Sequence, residues 1–155
     1  CKTIQDFANI DISELENIIH PCGFYKNKAK NIKLCANQIL ENFNGTVPQT
    51  MDELLTLAGV GRKSANVILL EVFGIANGIA IDTHAKRISN RLGFSSEKEP
   101  EKIEQDLLKI FPSNSLKDIN HLFMWHGRNT CNSRKPDCEN CTVKKFCEYY
   151  KKNCK

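Results

Sequence analysis

No stretch of this 155-residue chain approaches the roughly 18 consecutive apolar residues that cross a bilayer, so no membrane partner is expected. A secretory leader is not visible either: Cys1-Lys2-Thr3-Ile4-Gln5-Asp6 is polar and leads into no apolar run. An initiator Met is lacking too, and the chain is read as trimmed or as a fragment. Strand-like alternation is also scarce. Val47 and Ile79-Ala80-Ile81 are too short to build a sheet, and there is no internal repeat or low-complexity tract. With strands set aside, the expected fold class is all-α.

What is present is helical periodicity. Ile12, Leu15 and Ile19 mark a short helix over 12–20. Ala29, Ile32, Ala36, Ile39 and Phe43, in steps of three and four, predict an amphipathic helix over 27–43, closed by Asn44-Gly45. Further helices are expected over 51–57, 62–73, 82–92, 100–111 and 115–129, with Pro100 at a favoured start position. Charge is uneven. From His126 to Lys155 eight basic residues face three acids, +5 against +4 for the whole chain, which favours a polyanionic partner such as nucleic acid.

The sharpest local pattern is Leu54-x-x-Leu57-x-Gly59-Val60-Gly61-x-x-x-Ala65-x-x-Ile68. It reads as helix, tight turn and second helix, about residues 51–73. The two glycines permit positive φ and close backbone approach, so the N–H groups of Gly59, Val60 and Gly61 can reach a phosphate oxygen. Arg62 and the start of the next helix add positive charge. Such a contact positions a protein on DNA without reading sequence.

Four of the eight cysteines are crowded into one array, Cys131-x6-Cys138-x2-Cys141-x5-Cys147, with no histidine among the four. Crowding suits a metal centre in a reducing compartment better than a secreted disulfide scaffold. On ligand type alone, zinc and an iron–sulfur cluster fit equally.

Leu57-Ala58-Gly59-Val60-Gly61-Arg62-Lys63-Ser64-Ala65-Asn66-Val67 resembles the hairpin of the endonuclease III family of base-excision glycosylases, with Ala58 where that family usually has Pro. Gly23-Phe24-Tyr25-Lys26-Asn27-Lys28-Ala29, Ile81-Asp82-Thr83-His84 with Arg87, Asn90 and Arg91, and the 6-2-5 cysteine spacing resemble further segments, so the likeness runs from about Ile12 to Tyr149. It implies a bifunctional glycosylase and abasic-site lyase acting on double-stranded DNA with oxidised pyrimidines or abasic sites. Lys63 would be the nucleophile at the sugar C1′, and Asp82 would stabilise the cationic transition state and assist proton transfers. On its own, Asp82 also reads as a helix N-cap. The resemblance resolves the cysteine array, Cys131, Cys138, Cys141 and Cys147, as the ligands of a 4Fe-4S cluster. It further implies that Arg134 and Lys135, in the loop after the first ligand, meet DNA phosphates.

The resulting expectation is a monomer, cytoplasmic and nucleoid-associated, of two helical lobes. Residues 1–77 form a partial helical barrel with the helix-hairpin-helix. Residues 78–155 form the iron–sulfur cluster domain, with a cleft between the lobes. Four helices are expected before residue 77 where the family has six. The stripe Ala29, Ile32, Ala36, Ile39, Phe43 and the face Ala65, Ile68, Val72 are therefore expected to lose neighbours. That would leave the chain alone unstable, dye-binding and a poor glycosylase. The competing readings are a DNA-binding module without catalysis and a zinc-bound nucleic-acid adaptor.

Overall fold

The computed structural model describes Cys1–Cys154, and every regular element among these residues is helical, as the periodicity requires. Nine α-helices follow in order: α1 Ile4–Asn9, α2 Ile12–Ile18, α3 Tyr25–Asn42, α4 Met51–Leu55, α5 Arg62–Phe73, α6 Thr83–Leu92, α7 Pro100–Ile110, α8 Leu116–Asn129 and α9 Glu148–Asn153. No helix among the described residues is long and apolar enough to cross a membrane. Two compact units divide inside α5, the first being Cys1–Ala65 and the second beginning at Asn66. The sequence reading set its boundary at the loop after Asn77. Asn66 explains the earlier division, because its side chain is bonded to Ile79 and Glu104 of the second unit.

In the first unit, α3 buries Ala29, Ala36 and Ile39 where α1 and α2 pack on it. Small residues at the contact let the helices approach closely. The sequence reading missed α1, a helix of six residues held by a capping box: the Thr3 hydroxyl accepts from the Asp6 N–H, and the Asp6 carboxylate accepts from the Thr3 N–H at 3.0 Å. The N–H groups of Lys2 and Thr3 hold the Asp6 carboxyl below the usual carboxylate range. There are thus five helices through α5, not four, and α1 covers part of the α3 stripe that was expected to stand open. Ile32 and Phe43 remain half-buried, and Val72, in the second unit, is 67% exposed. The α3 C-terminus closes as expected. Asn44 and Gly45 take φ of 51° and 76°, and the Gly45 N–H donates to the Ile39 carbonyl at 3.0 Å.

The second unit closes around large aliphatic side chains: Ile79, Ile81, Ile88, Ile103, Leu107, Leu116, Ile119 and Phe123. Each contributes on the order of 1.5–3 kcal/mol by leaving water. Phe94 and Phe111 extend this core through edge and stacked contacts with Phe123. These residues come from α6, α7, α8 and the Ile79–Ile81 segment, which runs straight to Asp82.

Candidate functional sites

The hairpin turn is made by the main chain. α4 stops at Leu55, the Val60 N–H donates to the Leu57 carbonyl at 3.1 Å, and the Ala65 N–H donates to the Gly61 carbonyl at 2.9 Å as α5 begins. Of the two glycines only Gly59 has positive φ, 77°. A Cβ there would also lie 3.0 Å from the Asn31 side chain. Gly61 adopts ordinary φ and faces open space, so its missing side chain leaves the backbone bare. Positive φ and a bare backbone, both expected of the Gly-x-Gly pair, are thus divided between the two glycines. The Val60 N–H is engaged inside the turn. Among the described residues, the N–H groups of Gly59, Gly61, Lys63 and Ser64 donate to no backbone carbonyl. The Ala58 N–H is held by the Gln38 carbonyl oxygen at 2.7 Å, which fixes the turn against α3. Arg62 and Lys63 are exposed at the first turn of α5. A row of bare N–H groups followed by two cations at a helix start is suited to an anion.

Asp82 lies in the second unit. It is half-buried and caps α6, its Oδ1 accepting from the Ala85 N–H at 2.7 Å. Among the described residues its other oxygen takes no hydrogen bond, so capping and a chemical role are compatible on one carboxylate. The buried arm before it has no sheet to satisfy its main chain. Side chains do so instead: Glu104 Oε1 accepts from the Ile79 N–H at 3.1 Å, Asn120 Oδ1 accepts from the Ala80 N–H at 3.0 Å, and the Asn66 amide donates to the Ile79 carbonyl at 3.3 Å. The Asn66 amide also donates to Glu104 at 2.8 Å. Sequence reasoning missed Asn66, Glu104 and Asn120. The available signal was a glutamate at a core-facing helical position beside Ile103 and Leu107.

The thiol loop is made by side chains. Cys131, Cys138, Cys141 and Cys147 line one cavity together with Ile88, Leu92 and His126. No group of three or more His, Cys, Asp or Glu side chains among the described residues is gathered closely enough to hold a single ion. Two arginines of α6 carry the loop. Arg87 donates to the carbonyls of Cys131 at 3.0 Å and Gly127 at 2.9 Å. Arg91 donates to the Cys131 sulfur at 3.2 Å and to the carbonyls of Asn132 at 2.7 Å and Ser133 at 2.8 Å, and stacks on Tyr149. Gly127 must be glycine, since a Cβ there would stand 2.6 Å from His84 Nδ1. Burial, then the neighbouring Cys154 thiol, pushes the Cys138 thiol up to about 11 without a ligand. Arg134 and Lys135 are exposed in the same loop.

Comparison with known proteins gives the class, that of helical base-excision repair proteins. The family described as HhH-GPD superfamily base excision DNA repair protein matches residues 1–113. Endonuclease III of Synechocystis sp. is 47% identical over 137 residues, covering 88% of this chain and 63% of that protein. Endonuclease III of Escherichia coli is 41% identical over 151 residues, covering 97% of this chain and 71% of that one. A solved structure of a trapped endonuclease III–DNA covalent intermediate superposes with a TM-score of 0.94 at 36% identity, covering all of this chain and 73% of the other. The chain belongs to the endonuclease III family. It spans less than two thirds of the Synechocystis relative's length.

Proposed function

We propose that this protein is a base-excision DNA glycosylase that removes oxidised pyrimidines and cleaves the strand at abasic sites through a lysine Schiff base. The observation that carries this reading is the placement of Lys63: the second residue of α5, exposed, directly after a turn with unused main-chain N–H groups. A phosphate on the N–H groups of Gly59 and Gly61, beside Arg62, would hold the strand by its backbone alone. The damaged base must leave the duplex before the sugar can be reached. The Lys63 amine, in its neutral form, then bonds to C1′, and the base departs with the electron pair of the glycosidic bond and takes up a proton. The nitrogen then gives up one proton, and its lone pair opens the sugar ring to an iminium as O4′ takes up a proton. Removal of a C2′ proton expels the 3′ phosphate, and water finally frees the lysine. Asp82 supplies negative charge for the cationic sugar and an acceptor for transferred protons. Asn66, Glu104 and Asn120 act through it as positioning residues.

A 4Fe-4S cluster held by Cys131, Cys138, Cys141 and Cys147 completes the reading. Four thiols lining one cavity, with Arg87 and Arg91 holding the loop around them, are a donor set that suits such a cluster. Bound there, the cluster would supply structural cross-linking, fixing the loop that presents Arg134 and Lys135 to DNA phosphates. Work on nucleoid DNA in the cytoplasm follows from this substrate.

The test is strand cleavage of a duplex carrying one thymine glycol or one abasic site. The protein is expected to nick both, leaving an unsaturated aldehyde on the 3′ side. Binding of both duplexes with cleavage of neither would favour a DNA-binding module without catalysis.

A further inference from the structure

α8 buries Leu116, Ile119, Phe123 and Gly127, and His126 falls on the same face, next after Phe123 in the helical repeat. An apolar side chain is the default at such a position. A half-buried imidazole there needs a partner for its ring nitrogens. His126 is the one histidine that lines the thiol cavity, and its Nε2 lies 3.8 Å from the Cys141 sulfur. The main chain fixes the origin of this ring. The His126 carbonyl accepts from the N–H groups of Thr130 at 2.9 Å and Cys131 at 2.8 Å, and Arg87 donates to the Gly127 carbonyl at 2.9 Å.

While Cys141 is a thiol, either partner of the contact can carry the hydrogen. Iron removes that choice, because a ligating cysteine has given up its proton and its sulfur only accepts. The contact is then attractive only with the hydrogen on Nε2. A second sulfur is served in the same way, Cys131 accepting from Arg91 Nη1 at 3.2 Å. Cys147 is placed differently, its sulfur 3.2 Å from the Arg91 carbonyl, an oxygen with no hydrogen to offer. We propose that His126 donates a hydrogen bond from Nε2 to the Cys141 ligand sulfur and so sets the reduction potential of the centre. This inference rests on the iron–sulfur reading above. An N–H aimed at a sulfur is attracted more strongly as that sulfur gains negative charge. The reduced cluster carries one electron more than the oxidised one, so the donor favours reduction and raises the potential. Ile88 and Leu92 in the cavity wall strengthen the effect by keeping competing water away. The ring makes no bond to iron, and the ligands remain the four cysteines.

The experiment uses the full chain, loaded anaerobically with iron and sulfide. It reads bound iron, the midpoint potential by protein-film voltammetry, and the Fe–S stretching frequencies by resonance Raman. His126→Phe keeps a ring in the cavity and removes the donor. It should hold as much iron as the wild type, yet its ratio of reduced to oxidised cluster at a fixed potential should fall roughly tenfold. For one electron that is a potential lower by about 59 mV. The Fe–S(Cys) stretch should rise, because a sulfur relieved of its N–H binds iron more strongly. His126→Gln, whose amide N–H can reach where Nε2 stood, should recover most of both shifts. His121→Phe, exposed on the same helix against Glu71, should move neither. A loaded His126→Phe chain with the potential and stretch of the wild type would overturn the inference while leaving the cluster standing. Loss of iron from both His126→Phe and His126→Gln would overturn it as well, by reducing His126 to a packing residue. Loss from His126→Phe alone, with His126→Gln loaded at the wild-type potential, would support it. A wild type without iron would overturn the cluster reading itself, and this inference with it.

Discussion

The hairpin turn and the thiol loop are both short, irregular and charged, yet they are built in opposite ways. In the turn the groups proposed to bind are main-chain N–H groups, and the flanking Arg62, Lys63 and Ser64 are exposed. In the loop the proposed ligands are side chains, and the loop is held by the guanidinium groups of Arg87 and Arg91 and by the Gly127 approach. A main-chain site should be sensitive to any Cβ placed in its way and tolerant of most side-chain exchanges beside it. A side-chain site should fail when one ligand or one strut is exchanged.

The largest expected effect is in the loop. Cys141→Ser should abolish the visible absorbance and destabilise the protein by about 4 kcal/mol, the range for a lost metal site. For a chain of this size that lowers the melting temperature by roughly 8–16 °C, read by circular dichroism. Unchanged melting would mean that the loop needs no centre to hold its shape, and the contrast with the turn would collapse.

Arg91→Ala comes next. It removes donors to two carbonyls and one sulfur and the stack on Tyr149, at a cost of about 2 kcal/mol in urea unfolding. Arg91→Lys should recover little, because a single ammonium cannot span the Asn132 and Ser133 carbonyls as the planar fork does. Full rescue by lysine would reduce the strut to a charge.

The two glycines of the turn sharpen the comparison from the other side. Gly59→Ala should cost about 1–2 kcal/mol, since φ of 77° is strained for any residue with a Cβ and Asn31 stands in its way. Gly61→Ala should leave the melting temperature within about a degree, a surface change of under roughly 0.5 kcal/mol. It should nevertheless weaken DNA binding, because its Cβ would occupy the open space before the N–H groups. Equal stability losses for the two would contradict the division of labour drawn here.

The smallest effect on stability, essentially none, is expected for Arg134→Ala/Lys135→Ala. Binding should weaken across all sequences, and the slope of log affinity against log salt should fall by about 1.8, roughly 0.9 for each lost phosphate contact. An unchanged slope would place the loop off the DNA.

Most of the fold was legible because its helices are long and strictly periodic. α5 has the expected limits, and α3, α6, α7 and α8 differ by one or two residues at their ends. The six-residue α1 and α9 were not legible by periodicity, since neither completes two turns, although Thr3 and Asp6 already spelled the capping box of α1. The Gly-x-Gly turn was legible as a turn. Which glycine needs positive φ depends on where α4 ends, and that is a tertiary fact. The thiol array was legible from spacing alone, its identity was not. The struts behind Asp82 were hidden for a different reason: Glu104 and Asn120 lie 22 and 38 positions away along the chain, and nothing local distinguishes a buried carboxylate from a solvated one.

The central claim is that Lys63 forms the Schiff base, and covalent trapping tests it most directly. The protein is incubated with an abasic-site duplex and borohydride, which reduces an imine to a stable amine, and the adduct is mapped by peptide mass spectrometry. The account predicts one adduct per chain, on Lys63, absent from Lys63→Ala although that variant still binds the duplex. An adduct of normal yield in Lys63→Ala, or one mapped to another amine in the wild type, would contradict it.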